Sequence, residues 1–363
     1  MTTGKIKRQE AFSGIKPVTA DLQFDVALLE AYLAENIAGF AGPITVSQFK
    51  GGQSNPTYLL ETPHAKYVLR RKPPGTLLPS AHAVDREFRI IRALFDQGFP
   101  VAKPYLLCED VHMIGTMFYV MDYVAGRVIW EPPMPGASVQ ERASVYDALN
   151  DTIARLHKID IEAAGLANFG KPEGYVARQI KRWSEQYRLS LTQDIPEMDQ
   201  LMEWLPKACP TETLAAVVHG DFRLDNVILD TKSPKVLAVL DWELSTLGDP
   251  WGDFTYHLMQ WVMPPSKTGA GTGTLIGHDL EALGIPDLQT YIKLYSERTG
   301  FGVPENLSFY FAYNFFRLAA ILQGIVGRAQ EGTAANVHAE AQAGEISPLA
   351  KTAWDFAQRA GAL

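Results

Sequence analysis

Two cysteines in 363 residues, Cys108 and Cys209, are too few for a disulfide framework or a cysteine-rich zinc site. The polar start, Met1 to Glu10, lacks the apolar core of a secretory signal. No apolar run reads as a membrane span, so the expectation is a cytoplasmic protein with no membrane partner. Positive charge is short as well: 33 Lys and Arg against 41 Asp and Glu leave a formal net charge of −8. That argues against nucleic acid as a partner, and the cluster from Lys5 to Arg8 is too small to reverse it. Internal repeats and coiled-coil heptads are absent. What is present is length, since 363 residues exceed one ordinary domain and suit two units, each with its own core.

The densest chemistry lies in His219-Gly-Asp-Phe-Arg-Leu-Asp-Asn226, followed fifteen residues later by Asp241 within Leu240-Asp-Trp-Glu243. Phosphoryl transfer needs a carboxylate to receive a hydroxyl proton, an amide oxygen and a second carboxylate for magnesium. In protein kinases the first two stand as His-Arg-Asp, four positions, Asn, and Asp221 and Asn226 keep that spacing. The apolar runs Val227–Leu229 and Val236–Leu240, joined by the turn formers Asp230 to Pro234, read as a hairpin that returns Asp241 to Asn226. Alone, an Asp five residues before an Asn is equally a turn or cap; the ordered strand, turn, strand and Asp favour the catalytic reading. His219 reads as a residue that orients the loop by hydrogen bonds.

With His-Gly-Asp in place of His-Arg-Asp, the chain resembles the aminoglycoside phosphotransferase and choline kinase branch of the kinase-like fold. The resemblance implies an α+β, bilobal architecture: a small strand-rich lobe over residues 1–124 and a larger, mainly helical lobe over 125–363. It also implies ATP and Mg²⁺ as cofactors, with Asn226 and Asp241 holding the metal. Upstream, Ile44–Phe49 and Thr57–Leu60 flank Gly51-Gly-Gln-Ser-Asn55. By itself that segment is a tight turn; through the resemblance Gly51, Gly52, Ser54 and Asn55 become a loop over the phosphates. Lys66-Tyr-Val-Leu-Arg70 matches the third strand, with Arg70 where most kinases carry Lys; an Arg keeps the charge and grips phosphate oxygens bidentately. Alternation points Arg71 to the opposite face, and Lys72 is the substitute candidate.

A helix over Ala83–Phe95 presents Phe88, Ile91, Leu94 and Phe95 on one face, with Glu87 beside that stripe as the partner expected for Arg70 and Asp85 as its alternative. The apolar stretch Gly115–Gly126 then reads as a strand leading into a hinge. There the resemblance implies backbone contacts to adenine from Met121, Asp122, Tyr123 and Val124, between the faces of Val68, Ile228 and Leu240. The same apolar residues would serve equally as core.

Further helices are expected over Asp25–Ile37, with Leu28, Leu29, Leu33 and Ile37 on one side, and over Arg142–His157, Gln179–Leu189, Met198–Trp204 and residues 306–330. His157 reads as a helix-end residue. Asp249-Pro250 has the form of a helix start, which turns Asp253 toward the catalytic loop. The acids of 243–253 otherwise suit a cationic acceptor or second metal, so Glu243 is a candidate acceptor contact. Arg317, among the aromatics Phe309 to Phe316, needs a partner, either an acceptor anion or an internal acid. The run Lys267–Thr274 is glycine-rich, but no strand precedes it and a Gly-Lys-Ser/Thr ending is missing, so it is not a phosphate loop.

The wording Tyr67-Val-Leu-Arg-Arg-Lys-Pro-Pro-Gly75 and Val239-Leu-Asp-Trp-Glu-Leu-Ser-Thr-Leu-Gly-Asp-Pro250 resembles in particular the kinase-like segment that some acyl-CoA dehydrogenases carry. That implies a hydroxyacyl-CoA or hydroxy acid as the hydroxyl acceptor, and functional pairing with a separate acyl-CoA dehydrogenase. The alternatives are an aminoglycoside acceptor, a choline- or sugar-type acceptor, and a non-catalytic nucleotide-binding module. A module of the last kind would be expected to have lost Asp221, Asn226 or Asp241.

Overall fold

The computed structural model describes residues 13–51, 55–74, 82–266, 273–330 and 339–363. One antiparallel sheet contains β1 (Ile15–Lys16), β2 (Thr45–Phe49), β3 (Thr57–Glu61), β4 (Lys66–Arg71), β5 (Pro104–Cys108) and β6 (Phe118–Asp122), in the order β1-β2-β3-β4-β6-β5. β4 lies inside it, with Arg70 opposite Thr57 on one side and Tyr119 on the other. Alternation sends Tyr67 and Leu69 into a core shared with helix α1 (Val26–Asn36), where Leu29, Leu33 and Ile37 are buried. Val68 and Arg70 face the other way, toward α2 (Val84–Asp96) and the remainder of the chain.

Asp25 caps α1 by accepting from the Leu28 amide. Leu28 itself is 42% exposed, unlike the expected stripe. The row Leu29, Leu33, Ile37 fills the contact, and Leu28 sits about 100° round the helix from it. On α2 the buried face is Val84, Glu87, Ile90, Ile91 and Leu94, while Phe95 is exposed. Glu87 therefore stands in the buried stripe and not beside it. The strand expected over Gly115–Gly126 is confined to β6, and β5, an additional strand, forms the edge beside it.

The helical half comprises α3 (Val139–His157), α4 (Tyr175–Leu189), α5 (Pro196–Ala208), α6 (Pro250–Leu258), α7 (Leu280–Leu283), α8 (Leu288–Thr299), α9 (Leu307–Gln330) and α10 (Ala339–Arg359). α9 packs on α4, α5, α6 and α10. By length and composition α9 is apolar enough to cross a membrane, contrary to the expectation that no run has that length, yet 78% of its most apolar window is buried inside the protein. Its aromatics Phe309 to Phe316 are core.

Two short strand pairs interrupt the helices: β7 (Ala216–Val218) with β10 (Thr246–Gly248), and the expected hairpin of β8 (Val227–Leu229) and β9 (Val236–Val239). β7 and β10 are three residues each, too short to show a period in sequence. Beyond β6 the chain pairs with the hairpin, because Arg127 and Leu229 exchange backbone hydrogen bonds of 2.8 and 2.9 Å. Gly126 permits that approach: a Cβ there would lie 2.5 Å from the Leu229 carbonyl oxygen.

Candidate active site

The loop from His219 to Asn226 links β7 to β8 and is fixed on three sides. Gly220 has φ +86°, and a Cβ on it would lie 2.9 Å from the Leu244 carbonyl, so the turn requires glycine. His219 Nδ1 accepts from the Asp221 amide (3.1 Å), which leaves Nε2–H to donate to the Leu240 carbonyl (2.8 Å). The imidazole thus joins the loop to the chain just before Asp241. Asp253, in the first turn of α6, accepts from the amides of His219 (2.7 Å) and Gly220 (2.8 Å) and bonds His157 Nε2 (3.1 Å). Burial alone would raise the Asp253 carboxyl; these partners outweigh burial and hold it below the usual carboxylate range. The Asp249 side chain caps α6 by accepting from the Trp251 amide.

His157 does lie at the end of α3, but it is buried and its Nδ1 meets the Tyr295 hydroxyl at 2.6 Å. A polar bridge of this kind has no sequence period and could not be read in advance. Arg317, expected to face an acid or an acceptor anion, is 3% exposed and donates from Nη2 to the Gly220 carbonyl at 2.6 Å. Its guanidinium lies 5.0 Å from the Tyr256 ring centre. The loop backbone, rather than a carboxylate, receives this buried cation.

Asp221 sits at the centre of the loop. Asn226 Nδ2 donates to its carbonyl and to Oδ2, both at 2.9 Å. Arg223 Nε lies 3.1 Å from Oδ1 as an ion pair, and Arg223 Nη2 lies 3.4 Å from Asp225 Oδ2. The Tyr256 phenol also bonds Asp221, and burial raises its pKa, so it remains a donor. The sequence reading singles out neither Arg223 nor Tyr256. Arg223 stands two residues past Asp221, a visible signal, whereas Tyr256 arrives from α6 only through folding.

On β4, Arg70 Nε lies 2.8 Å from Glu87 Oε2, and Nη2 lies 3.1 Å from Asp241 Oδ1 and 3.6 Å from Glu243 Oε2. Glu87 also accepts from Asn55 Nδ2 (2.7 Å) and the Tyr119 hydroxyl (3.0 Å). Burial pushes the Glu87 carboxyl upward and Arg70 pulls it back, leaving it raised. Asn55, expected among the phosphate-contacting residues, is instead fully buried, with its side chain held by Glu87 and His82. The two substitutes named from sequence pair with one another, Lys72 with Asp85 at 3.8 Å. Glu243, considered for the acceptor, lies on the Arg70 side. Arg71 points to the opposite face and bonds Tyr58, Ile114 and Leu22.

A continuous bonded path therefore joins the His219–Asn226 loop to β4 and α2. It runs from Asp221 through Asn226, whose carbonyl accepts from the Leu240 amide at 2.8 Å, to neighbouring Asp241, then Arg70 and Glu87. Asp241 has φ +64°, a left-handed conformation uncommon outside glycine that aims its carboxylate at this meeting point. Among the described residues no group of three His, Cys, Asp or Glu could hold a metal. Magnesium does not need one: it binds through one or two carboxylates with phosphate and water, and the oxygens of Asn226 and Asp241 fit that hard-donor set.

Val68 lies opposite Met121 in the sheet on the Arg70 face, while Ile228 and Leu240 are half-buried. In the segment expected to be a hinge, the Asp122 and Tyr123 amides already donate to the carbonyls of Lys103 (2.9 Å) and Lys66 (3.2 Å). Asp122 Oδ1 accepts from Tyr105, so its side chain turns toward β5. Gly51 forms a half-buried bend; Gly52 and Ser54 lie outside the described residues, as does most of the Lys267–Thr274 run.

Beside the loop lies a small cavity of about 30 Å³. Trp130, Pro132, Met259, Met263 and Leu318 supply apolar walls. Arg223 and Tyr256 line it too and both contact Asp221, which places the carboxylate at that side. His257 contributes no charge near neutrality, because burial lowers its pKa to about 4.

A model of the phosphotransferase enzyme family matches residues 45–282. A candidate aminoglycoside phosphotransferase of Ralstonia eutropha, known from a crystal structure, is 47% identical over 93% of this chain and 99% of that one, with a TM-score of 0.84. Choline kinase of Cryptosporidium parvum shares the fold, with a TM-score of 0.61 at 12% identity over 92% of this chain and 99% of its own. Acyl-CoA dehydrogenase family member 10 of Mus musculus is 42% identical over 95% of this chain. The chain spans 32% of that relative's length.

Proposed function

The chain belongs to the phosphotransferase enzyme family, and from that premise we propose that it transfers the γ-phosphate of ATP to a hydroxyl of a small acceptor, a hydroxyacyl-CoA thioester or a related hydroxy acid. The observation that carries the chemistry is the bonded path linking Asp221, Asn226, Asp241, Arg70 and Glu87. Asp221 orients the acceptor hydroxyl and takes its proton. Asn226 and Asp241 would hold Mg²⁺, which supplies charge neutralisation for the phosphates. Arg70, positioned by Glu87, turns its guanidinium to phosphate oxygens in exchange for its contact with Asp241. The bend at Gly51 covers them, and adenine lies between Val68, Ile228 and Leu240, reaching the backbone near Val124. Most of the acceleration comes from alignment and charge compensation, and no covalent enzyme intermediate is needed. The hinge between the two lobes falls near residue 124.

Two observations support the acceptor. The relative of 42% identity is named for acyl-CoA dehydrogenases, and the cavity beside Asp221 is walled mainly by apolar residues. A polycationic antibiotic would need several carboxylates; the acid lining this cavity is Asp225, already paired with Arg223. Phosphorylating a hydroxyl creates a leaving group, which suits a working partnership with an acyl-CoA dehydrogenase. The similarity to a candidate aminoglycoside phosphotransferase sustains the second reading. The test is transfer from [γ-³²P]ATP with Mg²⁺ to 4-hydroxyacyl-CoA thioesters, free hydroxy acids and an aminoglycoside panel, with Asp221→Ala as control. Transfer to hydroxyacyl compounds alone establishes the first reading; transfer to aminoglycosides alone overturns it.

A further inference from the structure

We infer that Arg86 and Arg89 are positioning residues, which latch α2 onto the turn at 165–169 and thereby hold Glu87 where it sets Arg70 for the phosphates. This rests on the phosphotransfer reading and adds two residues to it. Arg86 Nη2 donates to the Phe169 carbonyl at 2.9 Å, and its guanidinium lies 4.3 Å from the centre of the Phe169 ring. Three residues on, and so on the same side of the helix, Arg89 donates to the Gly165 carbonyl at 3.2 Å and to Asn168 Oδ1. Two guanidiniums therefore reach from one helix to one turn.

That turn is anchored. Leu166 and Phe169 are buried in the core of the helical half. Gly170 follows directly and lies against β10, because a Cβ on it would be 3.0 Å from the Leu247 amide nitrogen. β10 pairs with β7, and the residue after β7 is His219. The latch thus ties the helix that carries Glu87 to the strands that carry the loop of Asp221. Its cations are placed against the preference of the helix itself. Arg86 follows Asp85 in the opening turn of α2, where the dipole favours an anion, and Ala83 at the N-cap makes no side-chain capping bond. A cation at that end gains from acceptors outside the helix, and the Phe169 carbonyl supplies one. Arg92, a turn beyond Arg89, instead lies 5.9 Å from the ring of Phe88 on its own helix.

The test compares Arg86→Met, Arg89→Met and the two combined with Arg92→Met as control, by hydrogen exchange of the free protein and by ATP titration with Mg²⁺. Loss of the latch should speed exchange of the α2 amides while that of α9 stays the same. It should also weaken ATP binding by about three- to tenfold, the range for one net hydrogen bond. Arg92→Met should change neither. Arg86→Lys, which keeps a donor and a charge beside Phe169, should recover part of the affinity. In a Glu87→Gln background the Met substitutions should leave ATP affinity unmoved, because the latch acts through Glu87; a role in folding alone would show no such dependence. Unchanged α2 exchange in the combined variant, or the same loss of affinity with and without Glu87, overturns the inference. Should Glu87→Gln not fold, the exchange comparison and the lysine rescue decide. Absence of ATP binding by the wild type overturns the proposed reaction, and α2 exchange then decides the latch by itself.

Discussion

Arg70, on β4 of the six-stranded sheet, and Asp241, just past β9 of the hairpin, meet with Nη2 of the one 3.1 Å from Oδ1 of the other. The strand cation thus neutralises the very carboxylate proposed for magnesium, and binding of Mg²⁺ with nucleotide must exchange this contact for phosphate oxygens. In the wild type, Mg²⁺ should tighten ATP binding. In Asp241→Asn that enhancement should vanish and transfer fall by about 10²–10³-fold, the scale for losing one aimed electrostatic group. Nucleotide titrations with and without Mg²⁺ check it, and an unchanged Mg²⁺ effect would remove Asp241 from the metal site.

Glu87 and Arg70 are 2% and 8% exposed, so neither tolerates loss of the other. Arg70→Met should destabilise the fold by about 3–5 kcal/mol by stranding a buried carboxylate. Changing both, Arg70→Met with Glu87→Leu, should recover much of that loss, though Asp241 and Tyr119 lose a partner as well. Urea unfolding of the four proteins in the cycle measures the coupling.

Much of this site was legible because its chemistry is local in sequence. Asp221 and Asn226 stand five positions apart, and the hairpin to Asp241 announces itself through turn formers between two apolar runs. Arg70 on its strand and Glu87 on its helix followed from period and resemblance. Contacts made only by folding were not legible. Tyr119 reaches Glu87 because it stands opposite Arg70 in the sheet, a register no single strand reveals. Asn55 reads as one of several polar residues in a turn, and only the packing of α2 shows that it satisfies Glu87. Arg317 illustrates the same limit: a buried cation demands acceptors, but a carbonyl serves as well as a carboxylate.

Asp221→Asn keeps the size of the side chain and removes the carboxylate proposed to accept the proton. Turnover should fall by about 10²–10⁴-fold, while ATP affinity stays unchanged, since the proposal has nucleotide held from the Arg70 side. Comparing kcat with the nucleotide Kd separates the two. A large loss of ATP affinity would mean that Asp221 belongs to the nucleotide site instead.

His257 gives the stability a pH dependence of known sign. Burial lowers its pKa from 6.5 to about 4, so between those values the unfolded chain binds more protons than the folded one. Its contribution is present above pH 6.5 and is lost as pH falls toward 4. Between pH 7 and pH 5 the loss is about 2 kcal/mol. His257→Gln, which can still bond the Tyr291 hydroxyl, should flatten this part of the profile. Urea unfolding at the two pH values checks the difference, and parallel profiles would show that His257 does not titrate in this way.

Gly220 offers the sharpest test of whether the His219–Asn226 loop is held rigidly, because three constraints act on one residue. Its φ is +86°, its amide is bound by Asp253 and its carbonyl by Arg317, so the backbone cannot rotate to accommodate a side chain without breaking a buried bond. A methyl group there also meets Leu244, 2.9 Å away. Gly300, at the C-terminal end of α8, has a similar φ of +78° with nothing within 4 Å of an added Cβ. Alanine at either position incurs the left-handed penalty of about 1 kcal/mol, but at Gly220 alone does it also press on the loop. Gly300→Ala should lose stability with turnover unchanged; Gly220→Ala should lose more stability and at least about tenfold in kcat, as expected when a reacting group is misplaced, with ATP still bound. Equal turnover in the two variants would mean that the loop adjusts freely, and that the bonds from Asp253 and Arg317 serve folding without positioning Asp221.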